Sequence, residues 1–195
     1  MLGLVDNKKV VIVGIPGVGK TSLVTKLVEL ITQQRKTVSV HSFGTVMLEE
    51  AIKNGVKDRD ELRTLPIEKQ QDLQKMAAEK ISKMEDDVVL IDTHAFISTK
   101  SGFYPGLPNY VIQIMQPTNF IAITASPDEI HDRRMKDTTR NRDPVSIEDI
   151  KKELAVQDAM LSSCSVLSGS PMKVVFNHEG DIEEAAKAVL GAIGL

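Results

Sequence analysis

Residues 14–21 read Gly-Ile-Pro-Gly-Val-Gly-Lys-Thr, a complete G-x-x-x-x-G-K-S/T loop, and no other stretch limits the fold so tightly. The loop follows an apolar run at residues 10–13 and precedes an amphipathic stretch at residues 22–30. It requires that setting, at the turn from a strand into a helix. There its glycines let backbone N–H groups curl around phosphate oxygens, and the helix aims its positive end at the same anion. Lys20 is then placed for the β- and γ-phosphates and the Thr21 hydroxyl for Mg²⁺. The implied ligand is a nucleoside triphosphate with magnesium. The candidate residues are Gly14, Ile15, Pro16, Gly17, Val18, Gly19, Lys20, Thr21 and Ser22.

The rest of the chain alternates short apolar runs with helical patterns. Strands are expected at residues 8–13, 37–43, 87–91, 119–124 and 173–176, rich in Val and Ile at consecutive positions, as in strands buried on both faces. Ser126-Pro127-Asp128-Glu129 carries a cap, a proline at the first helical position and a Glu three residues past the cap. Asp181 and Glu184 open the last helix in the same way, and a long helix is expected from Ser146 to about Leu167. Such alternation implies an α/β fold of three layers around a five-stranded parallel sheet with right-handed crossovers. The stretch at about 45–84, with a long helix opening at Pro66, is too long for a plain crossover. It reads as a helical insertion within a single domain spanning 1–195.

Composition excludes several classes. A net charge of −3 gives no general attraction to nucleic acid or to anionic membrane, and no apolar run approaches the length of a membrane span. The single Cys164 leaves no intramolecular disulfide or cysteine-rich zinc site, and the four histidines never fall at metal-ligand spacing. A cytoplasmic location is expected. Cys164 falls on the apolar side of its helix, so it is read as a small buried hydrophobe.

Two further features suit phosphate chemistry. The third strand ends in Asp92, where a carboxylate beside the loop can hold Mg²⁺ directly or through water. His94, two residues on, is either a substrate contact or a structural histidine. Arg133, Arg134, Arg140 and Arg142 cluster in a segment short of apolar residues, a short lid at about 134–146 suited to close over transferring phosphates. A guanine-binding Asn-Lys-x-Asp motif is absent, because the fifth strand is followed by Asn177-His178-Glu179-Gly180-Asp181.

With those residues in view, the chain resembles the archaeal-type adenylate kinases, a branch of the nucleoside monophosphate kinases. The segments that carry the resemblance are residues 14–21, 43–47, 57–63, 91–94, 102–108 and 137–143, and the order of elements extends it over essentially the whole chain. The resemblance implies reversible transfer of the ATP γ-phosphoryl group to AMP, with Mg²⁺ and without zinc, in a P-loop kinase fold with an AMP-side helical insertion and a short lid. It implies phosphate-loop roles for residues 14–21, a magnesium role for Asp92, and lid roles for Arg134, Arg140 and Arg142. It places Gly44 and Thr45 at the start of the AMP-covering region, and it implies a homotrimer.

The match is incomplete where AMP is concerned. Bacterial and eukaryotic members carry one arginine in the helix after the second strand and another in an Asp-Gly-Phe-Pro-Arg motif after the third. Here those stretches read Val46-Met47-Leu48-Glu49-Glu50 and Asp92-Thr93-His94. Arg59 and Arg63, four apart and on one face if Asp58 starts a helix, are the candidate cations for the AMP phosphate. Two alternatives remain open: a P-loop kinase with another nucleoside monophosphate or a small metabolite as acceptor, and a nucleotide-binding regulatory module.

Overall fold

The computed structural model describes residues 7–99, 102–137 and 145–195. The first half runs β1 (Lys8–Val13), α1 (Lys20–Gln33), β2 (Val38–Ser42), α2 (Phe43–Lys53), α3 (Arg59–Thr64), α4 (Ile67–Ser82) and β3 (Val88–Thr93). Then come β4 (Phe96–Thr99), β5 (Gly102–Pro105), α5 (Asn109–Met115) and β6 (Asn119–Thr124). The chain ends α6 (Pro127–Lys136), α7 (Ile147–Ser168), β7 (Met172–Phe176) and α8 (Ile182–Ala192). The expected five strands form one sheet in the order β2-β3-β1-β6-β7, and each pairing in it is parallel.

The central strand explains the layering. Val10, Val11, Ile12 and Val13 have no exposed surface, and alternate residues point to opposite faces. Val10 and Ile12 pack with Leu23 and Leu27 of α1 and with Ala186 and Val189 of α8. Val11 and Val13 pack with Met47 of α2, Ala77 of α4, Val111 of α5 and Leu161 of α7. Burial of each such aliphatic side chain contributes about 1.5–3 kcal/mol, so both helical layers are held through this one strand. Cys164 joins the second cluster, buried as expected.

Two local features differ from the sequence reading. Phe43, expected to end the second strand, is the first residue of α2 and is buried under it. The chain passes from strand to helix with no loop between, and an apolar residue at such a junction fits either periodicity. The antiparallel pair β4–β5 is an addition, with Phe96 opposite Pro105 and the Phe96 and Phe103 rings edge to face at 5.0 Å. Its four-residue strands are too short to give a period-2 signal.

After β5 the backbone turns back against the end of β3. Gly106 N–H donates to the Ala95 carbonyl at 2.8 Å, and a Cβ on Gly106 would run into the His94 carbonyl oxygen, with the His94 carbonyl carbon only 2.9 Å away. The obstacle is backbone and cannot rotate aside. Gly106→Ala is therefore expected to lower stability by about 3 kcal/mol, the upper end for overpacking, read as a shift of the urea midpoint.

Candidate functional site

The strand order places the site. Connections leave β1 toward β2 and β3 on one side and reach β6 and β7 on the other, and ligands of open α/β sheets lie outside the carboxyl ends at such a switch. The loop of residues 14–21 emerges there, directly from the end of β1. Gly19, at φ 81°, is the N-cap of α1 and offers no side chain to its first turn. No acidic residue stands in that turn, so the dipole and open N–H groups of α1 are uncompensated and favour an anion. The Asn177 amide occupies the space that a Cβ on Gly19 would need.

Three side chains hold three consecutive loop carbonyls. Arg134 Nε donates to Pro16 O at 2.8 Å, an Arg133 guanidinium nitrogen to Gly17 O at 3.4 Å, and Asn177 Nδ2 to Val18 O at 2.8 Å. A trans peptide sets its N–H opposite its carbonyl. Pinning these oxygens therefore turns the N–H groups of Gly17 and Gly19 the other way, as a phosphate cradle requires, while the Val18 N–H donates to Ile15 O at 3.4 Å within the loop. Asn177 is itself buried at the end of β7, its N–H on Thr124 O at 2.8 Å and its carbonyl accepting from Arg133 at 3.0 Å.

The register of β1 with β3 sets Ile12 beside Asp92 and Val13 beside Thr93. Lys20, on the first turn of α1, is consequently ion-paired through Nζ to Asp92 Oδ1 and donates to Thr93 O at 3.2 Å. A carboxylate that already faces an ammonium is suitably placed for a cation. Beside the loop opens a pocket of about 240 Å³, walled by residues 14–16, residues 94–98, Glu153 and Gln157. Glu153 accepts from Arg134 at 2.7 Å, so its charge is balanced at the pocket rim.

The sequence candidates divide accordingly. The loop residues, Lys20, Asp92, His94 and Arg134 come together. Thr21 and Ser22 are exposed on the first turn of α1. Gly44 and Thr45 lie exposed at the start of α2, just past Ser42, which is the register partner of Asp92. Arg59 and Arg63 lie on α3, which Asp58 caps by accepting from Asp60 N and Glu61 N; both are exposed, and Arg63 pairs with Asp60 at 3.1 Å. Neither lines the pocket. Arg140 and Arg142 lie outside the described residues. Sequence reasoning missed the bracing role of Asn177, whose segment counted only as a missing guanine motif. It missed Glu153 and Gln157 too, since nothing local marks two residues inside a long helix.

Comparison with known proteins points one way. A family model described as an AAA domain matches residues 13–151. An adenylate kinase of Methanocaldococcus jannaschii is 38% identical over 186 residues, spanning 94% of this chain and 97% of that protein. The adenylate kinase of Sulfurisphaera tokodaii is 40% identical over 191 residues, at 94% and 97% coverage. That of Thermoplasma acidophilum is 38% identical over 186 residues, at 95% and 98%. Among solved structures, a shikimate kinase from Bacteroides thetaiotaomicron superposes with a TM-score of 0.57 at 12% identity, covering 96% of this chain and 99% of its own. That likeness is one of fold.

Glu129 ties α6 to the turn after β7. Its carboxylate accepts from Glu179 N and Ser126 N, both at 3.0 Å, and from the Ser126 hydroxyl, while His178 Nδ1 lies 3.3 Å away. The Glu179 and Ser126 amides hold its pKa well below the ordinary 4.5, at about 2. Because folding favours the carboxylate, the stability it adds is whole above pH 4.5 and is lost as pH falls toward about 2. Glu129→Gln should cost about 1 kcal/mol at neutral pH and flatten the fall in melting temperature across that acid window. Thermal melts of both proteins against pH measure it.

Proposed function

The chain belongs to the adenylate kinases and, through residues 13–151, to the AAA-domain family, and we propose that it moves the γ-phosphoryl group of magnesium-bound ATP onto AMP, giving two ADP. The observation that carries the reading is the loop itself: braced carbonyls, an uncompensated α1 N-terminus, and Lys20 and Asp92 at one strand end.

The chemistry follows from charge. The attacking oxygen belongs to a phosphate already ionised near neutral pH, so the reaction needs no general base. Two polyanions have to be aligned, neutralised and kept from water, or ATP is merely hydrolysed. Lys20 exchanges the Asp92 carboxylate for phosphate oxygens, and Asp92 and Thr21 are the residues that would hold magnesium. The metal, when bound, offsets charge on the phosphate oxygens. Arg134, Arg140 and Arg142 act as lid cations on the transferring group, Arg134 exchanging its Glu153 partner for phosphate oxygen as it does so.

On the acceptor side we assign Gly44, Thr45 and His94 to the AMP region and Arg59 or Arg63 to its phosphate, with the α2–α4 segment closing over it. The exposure of both arginines leaves them available, and a dianion buried without a cation is costly. A cytoplasmic homotrimer completes the proposal. No helix among the described residues is long and apolar enough to cross a membrane, and Val166 and Leu167, 83% and 60% exposed at the end of α7, support association.

Assaying ATP against each nucleoside monophosphate tests the whole reading. AMP should be strongly preferred, and equal turnover of CMP, UMP or GMP would reassign the acceptor. Lys20→Ala should lower turnover more than about a hundredfold with the fold intact by circular dichroism. Of Arg59→Ala and Arg63→Ala, one should raise the Michaelis constant for AMP about tenfold while leaving that for ATP in place. If neither does, the AMP phosphate is held elsewhere.

A further inference from the structure

The Arg134 guanidinium has two partners of different kinds. Its Nε donates to Pro16 O at 2.8 Å, in the loop, and its Nη2 donates to Glu153 Oε2 at 2.7 Å. The stem lies along the loop, with Cγ 3.1 Å from the place a Cβ on Gly17 would take. Only 10% of the Arg134 side chain and 27% of the Glu153 side chain are exposed. A guanidinium so far out of water requires an anion, and a bond to a carbonyl supplies none. Among the described residues, Glu153 is the carboxylate that supplies it.

Glu153 comes from α7 and Arg134 from α6. The same carboxylate lines the pocket beside residues 14–16, so its charge sits where a polyanion has to come. It is tolerated there while Arg134 neutralises it. Once Arg134 turns to phosphate oxygen, the pair is broken and a bare carboxylate faces the nucleotide. Both changes count against binding. Phosphate still prevails, since a phosphate chain carries more negative charge and more acceptor oxygens than a carboxylate does. A kinase that runs in both directions has a use for such opposition. A tighter hold on the ground state adds nothing to the chemical step, and slow release of product limits turnover.

Resting on the adenylate kinase reading, we infer that Glu153 is a positioning residue that competes with the phosphates of ATP for Arg134, and so holds down the affinity of the loop for nucleotide. It acts through Arg134 rather than on the nucleotide. The length of its side chain makes the pair, and its charge makes the exchange reversible. The bond from Arg134 Nε to Pro16 O stands outside the exchange, so the loop keeps its shape while the outer end of the guanidinium changes partner.

The test measures the dissociation constant of magnesium-ATP by titration calorimetry, on the full chain and two variants. Glu153→Gln keeps length and a hydrogen-bond acceptor but carries no charge. Glu153→Asp keeps the charge and is one methylene too short to hold the 2.7 Å contact. Competition for Arg134 predicts tighter binding in both, by about tenfold in Glu153→Gln and about threefold in Glu153→Asp. Weaker binding in either variant marks Glu153 as a brace that Arg134 needs, and overturns the inference. Tightening in Glu153→Gln alone marks a repulsive charge that does not act through Arg134, and overturns it as well. So does any other pattern, including constants within about twofold of wild type in both. Wild-type protein that fails to bind magnesium-ATP or to phosphorylate AMP overturns the functional reading and this inference with it. Wild-type turnover of AMP beside unchanged binding in the variants overturns this inference alone.

Discussion

The burial of β1 on both faces is the constraint on which the rest of the structure depends. Its last four residues have no contact with solvent, and its neighbours β3 and β6 pair with it in fixed parallel register. A one-residue slip would exchange the two packed faces. The strand end is thus held firmly, and the phosphate loop leaves from a fixed point beside Asp92. A kinase that must bring two phosphates within bonding distance needs such a reference, since displacement by even 1 Å weakens alignment sharply.

The loop is then oriented from outside. Arg133 and Arg134 reach it from the last turn of α6, and Asn177 from the end of β7. Glu129 joins those two elements, accepting from the turn after β7 at the same carboxylate oxygen that lies 3.6 Å from Arg133. Binding-site geometry and fold stability consequently share residues. The arginines of α6 hold the loop through its carbonyls, so the placement of that helix and the shape of the loop depend on the same side chains.

Much of this was legible in order along the chain. The spacing of Gly14, Gly19, Lys20 and Thr21 marks strand, loop and helix together, because few other contexts tolerate that sequence. Ser126 with Glu129, and Asp58 before α3, announce helix starts through bonds made within four residues. Such signals are local, and local hydrogen bonding leaves a local pattern. Phe43 was misread for the same reason: its immediate neighbours fit a strand, whereas its burial beneath α2 is what makes it helical.

By itself the sequence determined the α/β class, the five parallel strands, and the loop of residues 14–21 between a strand and a helix, with Asp92 at the end of the next strand over, because each depends on residue type and short spacing. Only the tertiary structure decided that Asn177, 159 positions from Val18, braces the loop, that Glu153 balances Arg134, and that Gln157 lines the pocket beside the loop. It decided too that Arg59 and Arg63 stand exposed on α3 rather than at the pocket beside the loop. These are distances between elements far apart in the chain. They are set by how the two faces of β1 are packed, and no spacing along the sequence encodes them.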